Sequence, residues 1–243
     1  MENSKPTLHY LQNPGSQQCL WLLEELGIEY DLVFYKREKG RAPDALKETH
    51  PLGKAPQLAT ASGRVIAERS AIAFYLIETY DGEGRFKVPT PELDLDWNSK
   101  DNAKFREEQL LSLAQTAINQ YLSMKVTVTV FANHAPFFIR PFLQGLRWGL
   151  DKIYLDAEID NSFKVLDAEL EGREYFNGTK HPTRLDFVMQ WYVDFAAQGC
   201  QVDLSLYPRV KAWFERCISR DAWKRSLEKG NGYDLEFWKM KMA

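Results

Sequence analysis

The three cysteines are the most reactive side chains of the sequence, and their spacing limits the chemistry they can do. Cys19, Cys200 and Cys217 form no C-x-x-C pair, which excludes a dithiol of the thioredoxin type. They are also too few and too scattered for a disulfide scaffold or a zinc cluster, so we expect no metal site. Cys19 shares an apolar stripe at helical spacing with Leu22 and Leu26, which predicts a buried structural thiol rather than a redox centre.

The elements that position reactive residues change in character along the chain. Between residues 7 and 80, short apolar runs alternate with helical patterns. The predicted order is a strand at 7–11, a helix from Ser16 with Gly27 as its C-cap, a strand at 30–35, a short helix at 44–48, a hairpin of 57–60 with 64–66, and a helix at 69–80. This β-α-β-α-β-β-α order predicts a small mixed sheet with helices on both faces.

Beyond residue 83 the pattern becomes helical. Residues 84–97 are polar and rich in turn residues, which predicts a linker. Apolar periodicities predict helices over 98–132, 141–170, 186–198 and 208–218, although residues 126–130 alternate locally as a strand would. Thr183 and Asp186 have the spacing of a capping box. We therefore predict an α/β domain over 1–83 and an all-helical domain over 98–243.

Composition and charge exclude several classes of protein. Of the 243 residues, 44% are hydrophobic and 27% are charged, which is typical of a folded globular protein. The net charge is −3, so we expect no nucleic-acid partner. No apolar run reaches the roughly 20 residues that span a bilayer, and the first residues lack the apolar core of a signal peptide. We therefore expect a cytoplasmic protein without a membrane span.

Four short segments carry a resemblance to a known family. They are LWLLEELGIEY at 20–30, HPLGKAPQL at 50–58, AERSAI at 67–72 and TRLD at 183–186. In this order they resemble the first helix, the cis-proline loop, the start of the third helix and the helical-domain capping box of the glutathione transferase superfamily. The similarity is closest to the yeast-type branch of fungi and bacteria. The resemblance implies a thioredoxin-like N-terminal domain followed by an all-helical C-terminal domain.

The resemblance also implies a site for glutathione, an extended anionic tripeptide that serves as co-substrate. A cis peptide bond before Pro56 would turn the backbone of Ala55 toward the peptide for antiparallel pairing. Arg41 and Lys54 stand where related proteins hold the glycine carboxylate with a basic or amide side chain. We predict that Arg41 and Lys54 bind the glycine carboxylate and that Ala55, turned outward by Pro56, pairs with the peptide backbone of the ligand.

The γ-glutamyl end of glutathione would lie at the start of the third helix. Glu68 can accept from the ligand's ammonium group, and the helix N-terminus offers N–H groups to its carboxylate. The serine that the family has next is Arg69 here, and a serine follows one place later at Ser70. Either the backbone N–H groups suffice, or Arg69 contributes its charge from a different angle.

The group that stabilises the glutathione thiolate is the weakest part of the resemblance. Glutathione transferases donate a hydrogen bond to the sulfur, and the branch that fits best does so with a serine after the first strand. Pro14 occupies that position and has no hydrogen to donate. We name Asn13 and Ser16 as the catalytic candidates; the Tyr10 phenol and the absence of any donor are the remaining alternatives.

A second substrate would lie over the thiol, in an aromatic cleft between the domains. The candidate lining residues are Tyr121, Phe131, Phe138 and Trp148, which would suit a small hydrophobic electrophile. The basic and aromatic segment at 224–241 is expected to pack on the helical domain. The resemblance further implies a two-fold homodimer.

Three functions remain open at this stage. The first is a detoxifying transferase that conjugates the glutathione thiolate to hydrophobic electrophiles. The second is a glutathione-dependent peroxidase or disulfide reductase, which Asn13 as donor would favour. The third is a non-catalytic glutathione-binding protein, which Pro14 and Arg69 would favour because both depart from the family pattern.

Overall fold

A computed structural model describes residues 5–12, 15–38, 40–88, 102–230 and 232–235. The described residues form two compact units. The described residues within 5–88, 181–191 and 216–234 belong to the first unit, and those within 102–180, 192–215 and at 235 belong to the second. Most of the predicted linker at 84–97 lies outside the described residues, so the domain boundaries stay predictions. No helix in the described ranges is long and apolar enough to cross a membrane.

The described part of the first unit contains a four-stranded mixed sheet. Its strands are β1 (Thr7–Leu11), β2 (Asp31–Tyr35), β3 (Gln57–Ala59) and β4 (Val65–Ala67), in the spatial order β2-β1-β3-β4. β1 runs parallel to β2 and antiparallel to β3, and β3 pairs with β4 as a hairpin. The central strand β1 is paired along both edges, and four of its five residues are buried. The predicted mixed sheet is confirmed.

Three helices complete the thioredoxin-like part of this unit. They are α1 (Ser16–Leu26), α2 (Ala45–Thr49) and α3 (Arg69–Tyr80). α1 ends at Gly27, whose φ of 65° is left-handed and whose N–H donates to Leu23 O at 3.1 Å, as the sequence predicts. The observed order confirms β-α-β-α-β-β-α.

The remaining helices confirm an all-helical C-terminal region. They are α4 (Ala103–Leu113), α5 (Asn119–Asn133), α6 (Arg140–Leu150), α7 (Asp156–Glu169), α8 (Arg184–Asp194), α9 (Pro208–Ser219) and α10 (Asp221–Lys229). π-helical turns at Ala114–Ile118 and Asp151–Leu155 join α4 to α5 and α6 to α7. The strand-like alternation at 126–130 lies within α5, because Leu122, Val126 and Thr129 are buried at helical spacing.

The capping box ahead of α8 forms in the described structure. Asp186 Oδ2 accepts from Thr183 N at 2.7 Å and from Thr183 Oγ1 at 2.9 Å, and both residues are fully buried. The carboxylate therefore reaches back to the cap as the spacing predicts, and it also receives the threonine hydroxyl. This places the start of α8 firmly within the first unit.

The C-terminal segment at 224–241 is expected to pack on the helical domain. For residues 224–230 and 232–234 this expectation is wrong, and residues 231 and 236–241 lie outside the described residues. Residues 216–234 belong to the first unit, where α10 packs against α1. Arg225 Nε donates to Glu24 Oε2 at 3.0 Å, and Lys229 Nζ donates to Glu24 Oε1 at 2.5 Å. The rings of Trp223 and Trp21 also meet edge-on. The basic side chains of the segment thus find their acidic partners on α1, which composition alone does not locate.

Candidate functional site

A cavity of about 220 Å³ lies within the first unit. Four segments of the described chain surround it: the residue before α1, the loop before β3, the turn between β4 and α3, and α8. The described residues that line it are Gly15, Lys54, Ala55, Pro56, Ala67, Glu68, Arg69 and Trp191. Five of the seven residues predicted to bind glutathione are among them, so the structure brings most of that set together.

The loop before β3 is held from beneath by a buried side chain. Gln57 is fully buried, and its Nε2 donates to Lys54 O at 2.8 Å and to Leu46 O at 3.1 Å. The peptide bond between Ala55 and Pro56 is cis, as the resemblance implies. Because the Gln57 amide ties this loop to the first turn of α2, Lys54 and Ala55 are presented to the cavity by a fixed backbone.

Glu68 has an unusual backbone conformation at the edge of the cavity. It has a φ of 72°, one of two non-glycine residues with positive φ in the described chain. It stands at the N-cap of α3, where its carbonyl accepts from Ile72 N at 2.9 Å. A glutamate costs more free energy than a glycine in this region, and such strain concentrates at ligand sites.

Arg69 lies across the floor of the same cavity. Its Cζ lies 4.2 Å from the centroid of the Trp191 ring, which is a cation–π contact. On the other side it covers Gly15, where an added Cβ would be 2.1 Å from Arg69 Cδ and 2.7 Å from Nη1. The guanidinium is therefore held between the start of α1 and the indole of α8.

The charges of the cavity fit an anion that also carries a positive group. Among its described lining residues, Lys54 and Arg69 are cations and Glu68 is an anion. Cationic side chains bind carboxylates by charge-assisted hydrogen bonds, and a carboxylate binds an ammonium in the same way. An amino-acid-like ligand with an excess of negative charge is therefore complementary to this site.

Comparison with known proteins finds a family match over the N-terminal residues and relatives over most of the chain. Residues 6–78 match the family described as "Glutathione S-transferase, N-terminal domain". Over 223 residues, 91% of this chain and 86% of the relative, the chain is 29% identical to glutathione S-transferase 3 of Schizosaccharomyces pombe. Both findings support a place in the glutathione transferase superfamily. The fungal and bacterial type that the sequence motifs indicate is confirmed, as is a glutathione-related function at the level of the family.

Solved structures of glutathione transferases share the fold. One from Actinobacillus pleuropneumoniae superposes with a TM-score of 0.70 at 27% identity, covering 98% of both chains. A homologue from Lodderomyces elongisporus, described with two GSH per subunit, has a TM-score of 0.70 at 17% identity and covers 93% of this chain and 99% of its own. The second likeness is one of fold alone. Together they confirm the thioredoxin-like plus helical architecture of the transferases.

Two of the predicted glutathione-binding residues do not line the cavity. Arg41 is exposed and exchanges backbone hydrogen bonds of 2.9 Å with Glu38 in a tight turn. Ser70 is half-buried in the first turn of α3. Their roles in binding stay predictions.

The structure describes only some of the catalytic candidates. Asn13 and Pro14 lie outside the described residues. Ser16 is fully buried, and its Oγ accepts from Leu11 N at 3.3 Å, so it would have to turn away from β1 to reach a ligand. Tyr10 is fully buried as well, and its hydroxyl donates to Gln17 Oε1 at 2.8 Å. Burial raises the pKa of this phenol well above its usual value.

Cys19 is the structural thiol that its position on α1 predicts. It is 2% exposed, and burial raises the pKa of its thiol to about 12, while the charge of Arg69 acts in the opposite direction. A thiol with this pKa is almost wholly protonated at neutral pH and is a poor nucleophile. The burial of Cys19 confirms the predicted buried thiol.

The aromatic residues predicted to hold a second substrate lie in the second unit. Phe131, Phe138 and Trp148 are 68%, 71% and 63% exposed. Tyr121 stands ten residues before Phe131 on α5, about 15 Å along the helix axis, and its ring packs edge-on against Tyr154. The described structure therefore does not gather the four side chains into one cluster, and their part in substrate binding stays a prediction.

Three lining residues, Gly15, Ala67 and Trp191, are absent from the predicted set, and Ala67 entered the sequence analysis only as part of the segment at 67–72. Gly15 was assigned only to a turn, and Trp191 only to the helix that follows the capping box. Trp191 lies eight residues, about two turns, after Thr183, but helical periodicity cannot tell which neighbour an indole will face. The usable signal was the arginine at position 69, because a guanidinium that is partly withdrawn from water often stacks on an aromatic ring such as that of Trp191.

Proposed function

We propose that this protein binds glutathione in the cavity of the first unit and transfers its thiolate to a hydrophobic electrophile. The observation that carries the proposal is the convergence of Lys54, Ala55, Pro56, Glu68 and Arg69 on one cavity of about 220 Å³. These residues come from segments that the family uses for the tripeptide, and their charges complement its two carboxylates and one ammonium group.

Each end of the ligand has a chemical counterpart in the cavity. Lys54 pairs with the glycine carboxylate, and the backbone of Ala55 pairs with the peptide of the cysteine residue. Glu68 accepts from the γ-glutamyl ammonium group, and the first N–H groups of α3 donate to the neighbouring carboxylate. Glutathione is thereby oriented with its thiol toward the start of α1.

The reaction is a nucleophilic substitution or addition at carbon. The thiol loses its proton to solvent, the thiolate forms a new C–S bond, and the leaving group departs with the bonding electrons or the added carbon is protonated. Binding both reactants converts a bimolecular encounter into one between neighbours. The exposed aromatic side chains of the second unit supply candidate contacts for the electrophile. The product would be an S-conjugate, and the biological role would be cytoplasmic detoxification.

A non-catalytic glutathione-binding protein is the second candidate. It is favoured because the two candidate hydroxyls already form hydrogen bonds inside the fold: Ser16 Oγ accepts from Leu11 N, and the Tyr10 hydroxyl donates to Gln17 Oε1. Under this reading, the cavity would bind glutathione without ionising its thiol. The homodimer implied by the family is proposed for either candidate, and light scattering after size-exclusion chromatography measures it.

Calorimetric titration of glutathione in two buffers of different ionisation enthalpy tests the proposal. At neutral pH the difference between the two heats reports protons released on binding, and S-methylglutathione, which has no thiol proton, is the control. Binding with thiol-dependent proton release supports the transferase. Binding without release supports the non-catalytic candidate, and no binding overturns both.

Variants and substrates sharpen this experiment. Lys54→Gln should weaken glutathione binding about tenfold, because a charge-assisted contact to the glycine carboxylate is lost. Lys164→Gln is the matched control, since that lysine is exposed in the second unit. Turnover of a haloarene supports the transferase, whereas turnover of only a peroxide or a mixed disulfide would replace it with the peroxidase or reductase.

A further inference from the structure

The side chain of Arg69 does not extend into solvent as a first-turn helical arginine usually does. Its Cζ lies 4.2 Å from the Trp191 ring centroid, and its Cδ, Nε and Nη1 fill the space that a side chain on Gly15 would need. It also borders Cys19 in the small gap between α1, α3 and α8. Residues of α1, α3 and α8 thus surround this guanidinium, which lies in the cavity beside Gly15, the residue that precedes α1.

The electrostatic influence of Arg69 reaches the first turns of α1. Its charge acts to lower the pKa of the Cys19 thiol, against the larger effect of burial. The start of α1 adds N–H groups that lack partners within the helix, and these favour a negative charge at the same place. A sulfur atom lying beside Gly15 would therefore meet two sources of positive potential.

Among the described residues, the hydroxyls near this place point elsewhere. Ser16 Oγ accepts from Leu11 N, and Tyr10 donates to Gln17. The γ-glutamyl carboxylate, for its part, has the backbone N–H groups at the start of α3. With the carboxylate bound by these N–H groups, the ligand group that the guanidinium of Arg69 contacts is the one that lies next to Gly15.

We propose that the guanidinium of Arg69 stabilises the thiolate of bound glutathione, in place of the hydroxyl donor that the family uses. This inference rests on the proposed function, since it assigns the catalytic group of that same site. Arg69 keeps its own proton throughout, because a guanidinium does not deprotonate in proteins. The thiol proton goes to solvent, and the cation stabilises the charge that remains on sulfur.

Other charged groups share the surroundings of the thiol. Lys54 reinforces the effect of Arg69 and Glu68 opposes it, both from the lining of the cavity. α1 contributes Cys19, and the residues that α8 contributes, Phe187, Val188 and Trp191, carry no charge. Among these charged residues, Arg69 is the cation that contacts Gly15. Its removal should therefore shift the pKa of the glutathione thiol more than removal of the others would.

The test follows the ultraviolet absorbance of the bound thiolate as a function of pH. Wild type, Arg69→Gln and Arg69→Lys are compared, with Arg64→Gln as the matched control because Arg64 is exposed and outside the lining. The protein's own thiols stay silent, since burial raises the pKa of Cys19 and Cys200 to about 12 and that of Cys217 well above its usual value. The affinity for S-methylglutathione is measured in parallel.

Arg69→Gln should raise the pH midpoint of thiolate formation by about one unit and lower kcat about tenfold near neutral pH, with recovery at higher pH. Its affinity for S-methylglutathione should stay within about twofold of wild type, because that ligand has no thiolate to stabilise. Arg69→Lys should restore part of the midpoint, and Arg64→Gln should change nothing. Arg69→Met, which keeps the aliphatic packing, replaces Arg69→Gln should the latter not fold.

Two results would overturn the inference while leaving the proposed function intact. One is an unchanged pH midpoint in Arg69→Gln. The other is an equal loss of affinity for glutathione and S-methylglutathione, which would make Arg69 a carboxylate ligand. Failure of the wild type to bind or ionise glutathione would instead reject the proposed function itself.

Discussion

Gly15 and Arg69 are packed so closely that a side chain at Gly15 would overlap the side chain of Arg69 in its present position. A Cβ on Gly15 would lie 2.1 Å from Arg69 Cδ and 2.6 Å from Nε. The backbone of Gly15 has a φ of −61°, which any residue can adopt. Space for the guanidinium, and not backbone freedom, is therefore what requires a glycine here.

Gly15→Ala should displace the guanidinium without removing it from the protein. We expect an effect on the thiolate midpoint similar to that of Arg69→Gln, about one pH unit, with little loss of stability because the end of a flexible side chain can move. The double variant should be no worse than Arg69→Gln alone, since both changes remove one contact. Gly82→Ala, where a Cβ meets nothing within 4 Å, is the control. Additive effects in the double variant would contradict this coupling.

Gln57→Leu should loosen the loop that presents Lys54 and Ala55. The substitution removes the amide that donates to Lys54 O and Leu46 O, and it leaves buried carbonyl groups with fewer donors. We expect a loss of about 1–3 kcal/mol in the free energy of unfolding and a weaker affinity for glutathione. Urea denaturation and calorimetry measure the two effects. Gln144→Leu, at an exposed position of α6, is the control. Equal affinity of both variants for glutathione would contradict a positioning role for Gln57.

Ser226→Ala should weaken the attachment of α10 to α1. Ser226 Oγ accepts from Gln17 Nε2 at 2.7 Å, in a buried chain of hydrogen bonds that continues to Tyr10. Leaving the Gln17 amide without its acceptor should cost about 1–3 kcal/mol of unfolding free energy. Ser219→Ala is a matched control, because Ser219 also donates to a carbonyl of its own helix but is exposed. A similar loss of unfolding free energy in Ser226→Ala and Ser219→Ala would contradict a stabilising role for the buried hydrogen bonds.

Glu24 should make the attachment of α10 sensitive to acid. Burial raises the pKa of Glu24, but hydrogen bonds from Lys229, Tyr30 and Arg225 outweigh it and hold the pKa below its usual 4.5. A carboxyl with a lowered pKa adds stability above about pH 4.5, and this stability is lost as the pH falls through the folded-state value.

Glu24→Gln should therefore cost about 1–2 kcal/mol at pH 7 and less in acid, measured by urea denaturation across the pH range. Glu78→Gln, which breaks the exposed pair with Lys87, should cost under about 0.5 kcal/mol at either pH. A pH-independent loss in Glu24→Gln would mean that packing, and not charge, explains the contact.

The elements of the first unit follow from local signals, because each is short, strongly patterned and closed by a turn residue. Gly27 and the hairpin between β3 and β4 are of this kind, and their predicted bounds agree with the observed ones within two residues. The cis bond at Pro56 could be anticipated only through the resemblance, since a proline alone gives it a low probability.

The missed parts of the site depend on contacts between residues far apart in sequence. Trp191 and Arg69 meet because α8 packs with the N-terminal residues, and no periodicity within α8 reveals this. The prediction that residues 224–230 pack on the helical domain is wrong for the same reason. Their composition predicts a basic and aromatic surface, but only the fold supplies Glu24 as the partner.

The contact between Gln17 and Ser226 joins residues that are 209 positions apart. During synthesis, α1 is therefore not covered by α10 until almost the whole chain has been made. Until then, the side of α1 that carries Trp21 and Glu24 is open to water and to other proteins. The half of the molecule that leaves the ribosome first is among the last to be completed.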